Sequence, residues 1–197
     1  MAMPRPSTPL KGPSWQEATG EGTEGSPFVP VVTTPGGGIA AAPAMTRPAD
    51  TTAYASGDLV ANSTTAGSVV PLVFNGVGRV QGGGVRIIAA RIAKSGTGVT
   101  NAAFRLHLFS SAPSLGGGDN AALAMGPLAS YLGALDITVD RALTDGSFGR
   151  GVPLVGVIMV AKLGAAETRL WGLLEARGAY TPASGEAFTV TLELERD

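Results

Sequence analysis

Proline governs the first quarter of this chain. Of the fourteen prolines, nine fall between Met1 and Ala49, at positions 4, 6, 9, 13, 27, 30, 35, 43 and 48, and the same stretch carries a triple glycine, Gly36 to Gly38. Proline fixes φ and removes a backbone donor, while glycine raises the entropy cost of ordering. No window of the segment has the period of an amphipathic helix or an alternating strand. Residues 1–49 are therefore expected to form an extended arm without a core of its own. Its apolar residues Trp15, Phe28, Val29, Val31 and Val32 are expected to be anchors. They would dock on a neighbouring subunit or add an edge strand to its sheet.

Residues 50–197 read as one domain, of a size that buries a sizeable core. Short apolar runs are separated by turn residues. Leu72-Val73-Phe74 runs into Asn75-Gly76, a turn signal. Val85 to Ala93 reads as a strand, and Phe104, Leu106 and Leu108 alternate with Arg105 and His107 in another. The Ser95-Gly96-Thr97-Gly98 break between them predicts a hairpin. A short helix is expected within Ala121 to Leu132. Leu135, Ile137 and Val139 mark a half-buried strand, and Val157-Ile158-Met159-Val160 a central one. Arg169 to Tyr180 is a further strand. The last is the clearest, with Phe188, Val190, Leu192 and Leu194 on one side and Thr189, Thr191, Glu193 and Glu195 on the other. About eight strands with little helix predict an all-β fold, an antiparallel β-sandwich of jelly-roll type, with an immunoglobulin-like sandwich as the alternative.

The chain carries 14 basic and 15 acidic residues, a net charge of -1. A protein that grips phosphates needs a basic excess, so no nucleic-acid partner is expected. No apolar stretch approaches the roughly 20 residues of a membrane span. The opening Met-Ala-Met-Pro-Arg-Pro lacks the pattern of a secretory signal, so synthesis in the cytoplasm is expected. Cysteine is absent, which removes disulfides and thiolate chemistry.

No catalytic constellation emerges, and no enzyme activity is expected. His107 is the one histidine, no G-x-S-x-G elbow accompanies it, and it reads as a strand-surface or interface residue. One histidine without cysteine gives no zinc ligand set, so neither metal nor cofactor is predicted. Asp136 and Asp140, four apart on a strand, stand about 13 Å from one another, too far for a glycosidase pair. Asp119-Asn120 and Asp145-Gly146 read as turns, with a loop calcium site as the lesser alternative. The glycine runs at 36–38, 82–84 and 116–118 lack the Lys and Ser/Thr of a phosphate loop.

The run from Met45 to Asn62, Met-Thr-Arg-Pro-Ala-Asp-Thr-Thr-Ala-Tyr-Ala-Ser-Gly-Asp-Leu-Val-Ala-Asn, resembles the opening of a family of uncharacterised structural proteins of tailed bacteriophages. Asp119-Asn120-Ala121-Ala122 and Tyr131-Leu132-Gly133 belong to the same likeness, which spans about residues 45–197. The resemblance implies a virion component without catalytic residues. A capsid decoration (cement) protein or head-fibre subunit is expected, bound through its arm to the major capsid protein or other virion subunits. The alternative is a tail, baseplate or fibre component whose sandwich binds a host glycan through an exposed aromatic platform drawn from Trp171, Tyr54, Tyr131 and Tyr180. A homotrimer is expected, held by the apolar side of Val85 to Ala93 with Ile88 and Ile92 at the interface.

Overall fold

The computed structural model describes residues 17–19, 29–31, 36–153 and 159–196. The chain divides into two units at Pro35/Gly36. In the first, β1 (Glu17–Thr19) and β2 (Val29–Val31) form an antiparallel ladder, with Ala18 opposite Pro30. A strand pair thus forms within a segment expected to contain none. Trp15, Phe28 and Val32 lie outside the described residues. Val29 and Val31 are the ends of β2, and their strand partner is β1 of the same chain.

The described residues of the second unit form thirteen strands: β3 (Gly36–Ala41), β4 (Met45–Thr46), β5 (Leu59–Val60), β6 (Leu72–Phe74), β7 (Gly84–Lys94), β8 (Ala103–Phe109), β9 (Ser114–Leu115), β10 (Met125–Gly126), β11 (Tyr131–Ala142), β12 (Ser147–Pro153), β13 (Met159–Lys162), β14 (Leu170–Ala176) and β15 (Ala187–Arg196). The fold is all-β and antiparallel. One curled sheet runs β3-β15-β7-β12-β11-β8-β14-β5, with β4 also on β15, β13 on β7 and β6 on β14. Its two halves face each other as a sandwich. Phe104 of β8 meets Phe188 of β15 edge-on across the core, ring centroids 5.5 Å apart.

Alternation sets which side chains enter that core. Phe188, Val190, Leu192 and Leu194 of β15 point inward with Phe104, Leu106 and Leu108 of β8 and Leu135, Ile137 and Val139 of β11. A second, smaller cluster lies on the outer side of β8 and β14. There Phe109, Trp171 and Leu173 are covered by Leu59, Ala61 and, from the segment after β8, Leu115, Leu123 and Met125. Long alternating strands follow from the sequence, but this outer cover does not, because its residues come from short, irregular stretches.

Five expectations need correction. The folded unit begins at Gly36, not at Asp50. Residues Gly36 to Ala41 pair with Arg196 to Thr191 of β15, and Met45-Thr46 continue along the same strand. Of these glycines Gly38 lies closest to a neighbour: a Cβ there would be 2.8 Å from Cζ of the flexible Arg196 side chain, whereas one on Gly37 would meet open space. β7 and β8 do not form a hairpin. β7 pairs with β12, β13 and β15, and β8 with β11 and β14. Their connection crosses from one layer to the other, and the carbonyls of Gly96 and Gly98 are held by Lys94 Nζ at the end of β7. The expected helix within Ala121 to Leu132 is a bridge to Asp58, strand β10 and a single 3₁₀ turn, Leu128–Ser130. Of the run expected to form a central strand, Val157 and Ile158 lie outside the described residues, and the described part, β13, is peripheral. β13 pairs only with the Gly84–Ile87 end of β7, and Val160 is 73% exposed. Ile92 is fully buried in the main core and cannot serve as an interface residue, whereas Ile88 is half-buried where a bulge shifts the β15–β7 register.

Candidate functional site

Three buried polar clusters concentrate the chemistry of the described residues. The first joins the strand exit at Arg47 to the turn at Asp119. Arg47 Nε donates to the Tyr54 hydroxyl at 2.8 Å, and Arg47 Nη2 donates to Asp119 Oδ2 at 2.9 Å. The Tyr54 hydroxyl donates in turn to Asp119 Oδ1 at 2.7 Å, which also accepts the Ala61 amide at 2.8 Å. The arginine and aspartate side chains are 0% and 1% exposed, so the pair is desolvated and its remaining hydrogen-bond capacity is met by backbone and tyrosine. Burial, reinforced by the Asp119 carboxylate, pushes the Tyr54 hydroxyl far above its ordinary pKa. Asp119 is thus a structural hub. With both oxygens committed to Arg47, Tyr54 and Ala61, it is placed to fix the turn rather than to hold calcium.

The second cluster repeats the chemistry. Lys94 Nζ donates to Glu186 Oε1 at 3.0 Å and to the Gly96 carbonyl at 3.0 Å, and sits 4.9 Å from the centroid of the Tyr180 ring. The Tyr180 hydroxyl donates to Glu186 Oε2 at 2.6 Å, and both charged side chains are fully buried. Burial again raises the tyrosine pKa. Backbone bonds tie the two clusters together: Arg47 N–H donates to the Glu186 carbonyl and Tyr54 N–H to the Tyr180 carbonyl.

The third surrounds the histidine. His107 is buried, not on the strand surface as its alternation with Leu106 and Leu108 suggested. Its Nε2 lies 2.8 Å from Glu175 Oε2 and its Nδ1 3.2 Å from the Tyr131 hydroxyl. A carboxylate only accepts, so the proton sits on Nε2 and Nδ1 accepts from the tyrosine. Glu175 Oε1 also accepts from Arg177 at 3.0 Å. Next to them Arg105 grips Asp136 through Nε and Nη2 at 2.6 and 2.8 Å. A hydroxyl, an imidazole and a carboxylate in series have the connectivity of a nucleophile relay. Their electrostatics run the other way. Burial holds His107 below its ordinary pKa of 6.5 and raises that of Tyr131, so the hydroxyl is not primed as a nucleophile.

The remaining positions are placed as follows. Asp136 is engaged by Arg105, and Asp140 is exposed at the far end of β11. No group of three or more His, Asp or Glu side chains among the described residues stands close enough to hold a metal ion. Tyr54, Tyr180 and Trp171 are buried and Tyr131 is half-buried, so the four aromatics do not form an exposed platform. An apolar hollow of about 200 Å³ lies between Pro43–Thr46 on one side and Val70–Val73 on the other, with Asn62 also lining it. No helix among the described residues is long and apolar enough to cross a membrane.

Sequence reasoning missed all three clusters, though two left a signal. Lys94 shares its parity on β7 with the inward Ala90 and Ile92, and Glu175 shares that of Trp171 and Leu173 on β14. A charge on the core parity of a strand predicts a buried partner. No local pattern ties Arg47 to Asp119, which are separated by 72 residues. No protein-family model matches this chain, and no curated protein matches it.

Proposed function

We propose that this chain is a structural protein of a tailed bacteriophage virion, a capsid decoration or head-fibre subunit that binds the shell through the segment preceding its β-sandwich. One observation carries the reading. Two of the stretches on which the likeness to phage structural proteins rests, Met45 to Asn62 and Asp119 to Ala122, are built into one buried unit. Arg47, Tyr54 and the Ala61 amide from the first converge on Asp119 of the second. Asp58 bridges Ala122, the Leu59 amide donates to the Ala121 carbonyl, and the Asn120 amide donates to the Leu59 carbonyl. The likeness therefore falls on residues that hold the fold, as it would in a protein whose task is to be a stable scaffold. The commitment of the buried acids, bases and hydroxyls to internal partners supports the same reading. So does the inward placement of Tyr54, Tyr180 and Trp171, which a glycan-binding platform would need at the surface. The shell contact would run from residues 1–35 to the major capsid protein or other virion subunits, placing the chain in the assembled particle.

A cryo-EM map of the intact particle tests this. The expected result is sandwich density matching residues 36–197 on the outside of the head. Density for the chain at the tail tip or baseplate, or its absence from purified particles, would overturn the assignment to the head.

A further inference from the structure

Among the described residues, the sheet ends on a strand without the usual protection. Natural edge strands carry lysine, proline, bulges or a cover that prevents pairing with another chain. β3 reads Gly-Gly-Gly-Ile-Ala-Ala, without charge, proline or bulge. It is bonded to β15 along one side, and no described strand pairs with the other. The Ala42 amide donates to the Val190 carbonyl, directly opposite in the register. Bonding alternates along an antiparallel strand, so Ala40 and Gly38 also turn their amides and carbonyls toward β15. Gly37, Ile39 and Ala41 turn theirs toward the open edge. Ile39 further presents a large apolar side chain to solvent, 61% exposed, on the outer face.

We propose that β3 pairs antiparallel with β3 of a second copy of this chain, about a two-fold axis at Ile39. Three observations select that occupant and register. First, a two-fold brings each residue against its own copy, so any charge on the strand would meet itself, and β3 has none. The nearest acids are already held on the side away from the edge: Glu193 by Arg91 and Arg150, Glu195 by Arg86. Second, outward residues must face outward residues. That excludes any register placing Ile39 opposite Gly38. Third, centring on Ile39 sets Gly37 opposite Ala41, Ile39 opposite Ile39 and Ala41 opposite Gly37. Each facing pair has both amide and carbonyl aimed at the partner. Centring on Gly38 or on Ala40 would leave Ala41 or Gly37 without a partner inside β3 and reduce three facing pairs to two. The Ile39-centred pairing makes the two outer sheet faces continuous and lays the two exposed isoleucines together. It closes as a dimer rather than the expected trimer.

Sedimentation velocity of the full chain across a wide concentration range tests the pairing. The wild-type chain is expected to dimerise, and Ile39→Lys to weaken dimerisation by about tenfold or more, by placing two ammonium groups at the axis. Val160→Lys, at a site more exposed than Ile39 but on β13, should leave it unchanged. Ala41→Pro removes only an amide that faces the open edge, so it should also give a monomer, with the circular dichroism of the wild type. Hydrogen exchange at Gly37, Ile39 and Ala41 should slow as concentration rises. A wild-type monomer at all concentrations would overturn the proposal. So would a trimer, or an assembly indifferent to Ile39→Lys while sensitive to Val160→Lys.

Discussion

Lys94 and His107 are both buried, but they are met by different numbers of partners. Lys94 offers Nζ to three acceptors, the Gly96 and Gly98 carbonyls and Glu186, which is the full capacity of an ammonium. His107 has a single carboxylate partner, and burial outweighs it, so the imidazole is held neutral with its pKa below 6.5. The linkage has a definite sign. In the unfolded chain His107 takes up a proton as pH falls through about 6.5, while in the folded chain it does so only at lower pH. The unfolded state therefore binds more protons in that window, and stability present above it is lost as pH falls. Arg105 and Arg177 oppose a charged imidazole, and Glu175 favours one. Urea midpoints between neutral pH and pH 5 should decline for the wild type and decline less for His107→Gln, whose amide retains a donor for Glu175. Identical slopes for the two proteins would mean that His107 titrates as it does in the unfolded chain. That Lys94 and Glu175 would be buried is legible from strand parity. That His107 would be buried is not, because it packs against Tyr131 of β11 and Glu175 of β14, strands whose pairing with β8 no local pattern shows.

At the scale of elements, the long strands were readable and their partners were not. β15 shows its inward Phe188, Val190, Leu192 and Leu194 without help, and β11 likewise shows Leu135, Ile137 and Val139. The β7–β8 connection contains the residues of a turn but serves as a crossing between layers, since glycine permits a tight turn without requiring one. The most consequential misreading concerns Gly36 to Ala41. Three glycines beside prolines have the composition of a linker, yet tertiary pairing with β15 overrides it. This changes where the chain can be cut. Deletion of residues 1–35 ends at the unit boundary and should leave the midpoint of thermal unfolding nearly unchanged. Deletion of residues 1–44 removes β3, uncovers the edge of β15 and takes the buried Ala40 and Ala42 with it. It should lower the midpoint by several degrees, as a loss of a few kcal/mol would in a domain of this size. Equal midpoints for the two deletions would show that β3 contributes nothing to the fold.

On the scale of the molecule, the question is whether the outer cluster behaves as part of the sandwich or as a separate flap. Most of its cover, between β8 and β11, has little regular structure, which favours independent opening. Two features oppose it. β14 serves both clusters, sending Leu170 and Leu174 into the main core and Trp171 and Leu173 into the outer one. The cover is also tied down at Asp119, whose carboxylate is bonded to Arg47 and Tyr54, while Arg47 and Tyr54 are joined through their backbones to Glu186 and Tyr180. Opening the flap would strand a buried arginine, a cost of about 3–5 kcal/mol, comparable to the stability of many small domains. The two clusters should therefore melt together. Tryptophan fluorescence can resolve this, because the chain has two tryptophans and deletion of residues 1–35 removes Trp15, leaving Trp171 in the outer cluster as the sole reporter. In that deletion variant, the urea transition followed by Trp171 emission should coincide with the one followed by far-ultraviolet circular dichroism of the strands. A change in Trp171 emission that precedes loss of strand signal would mean that the Asp119 tie is weaker than its burial implies and that the flap opens as its own cooperative unit.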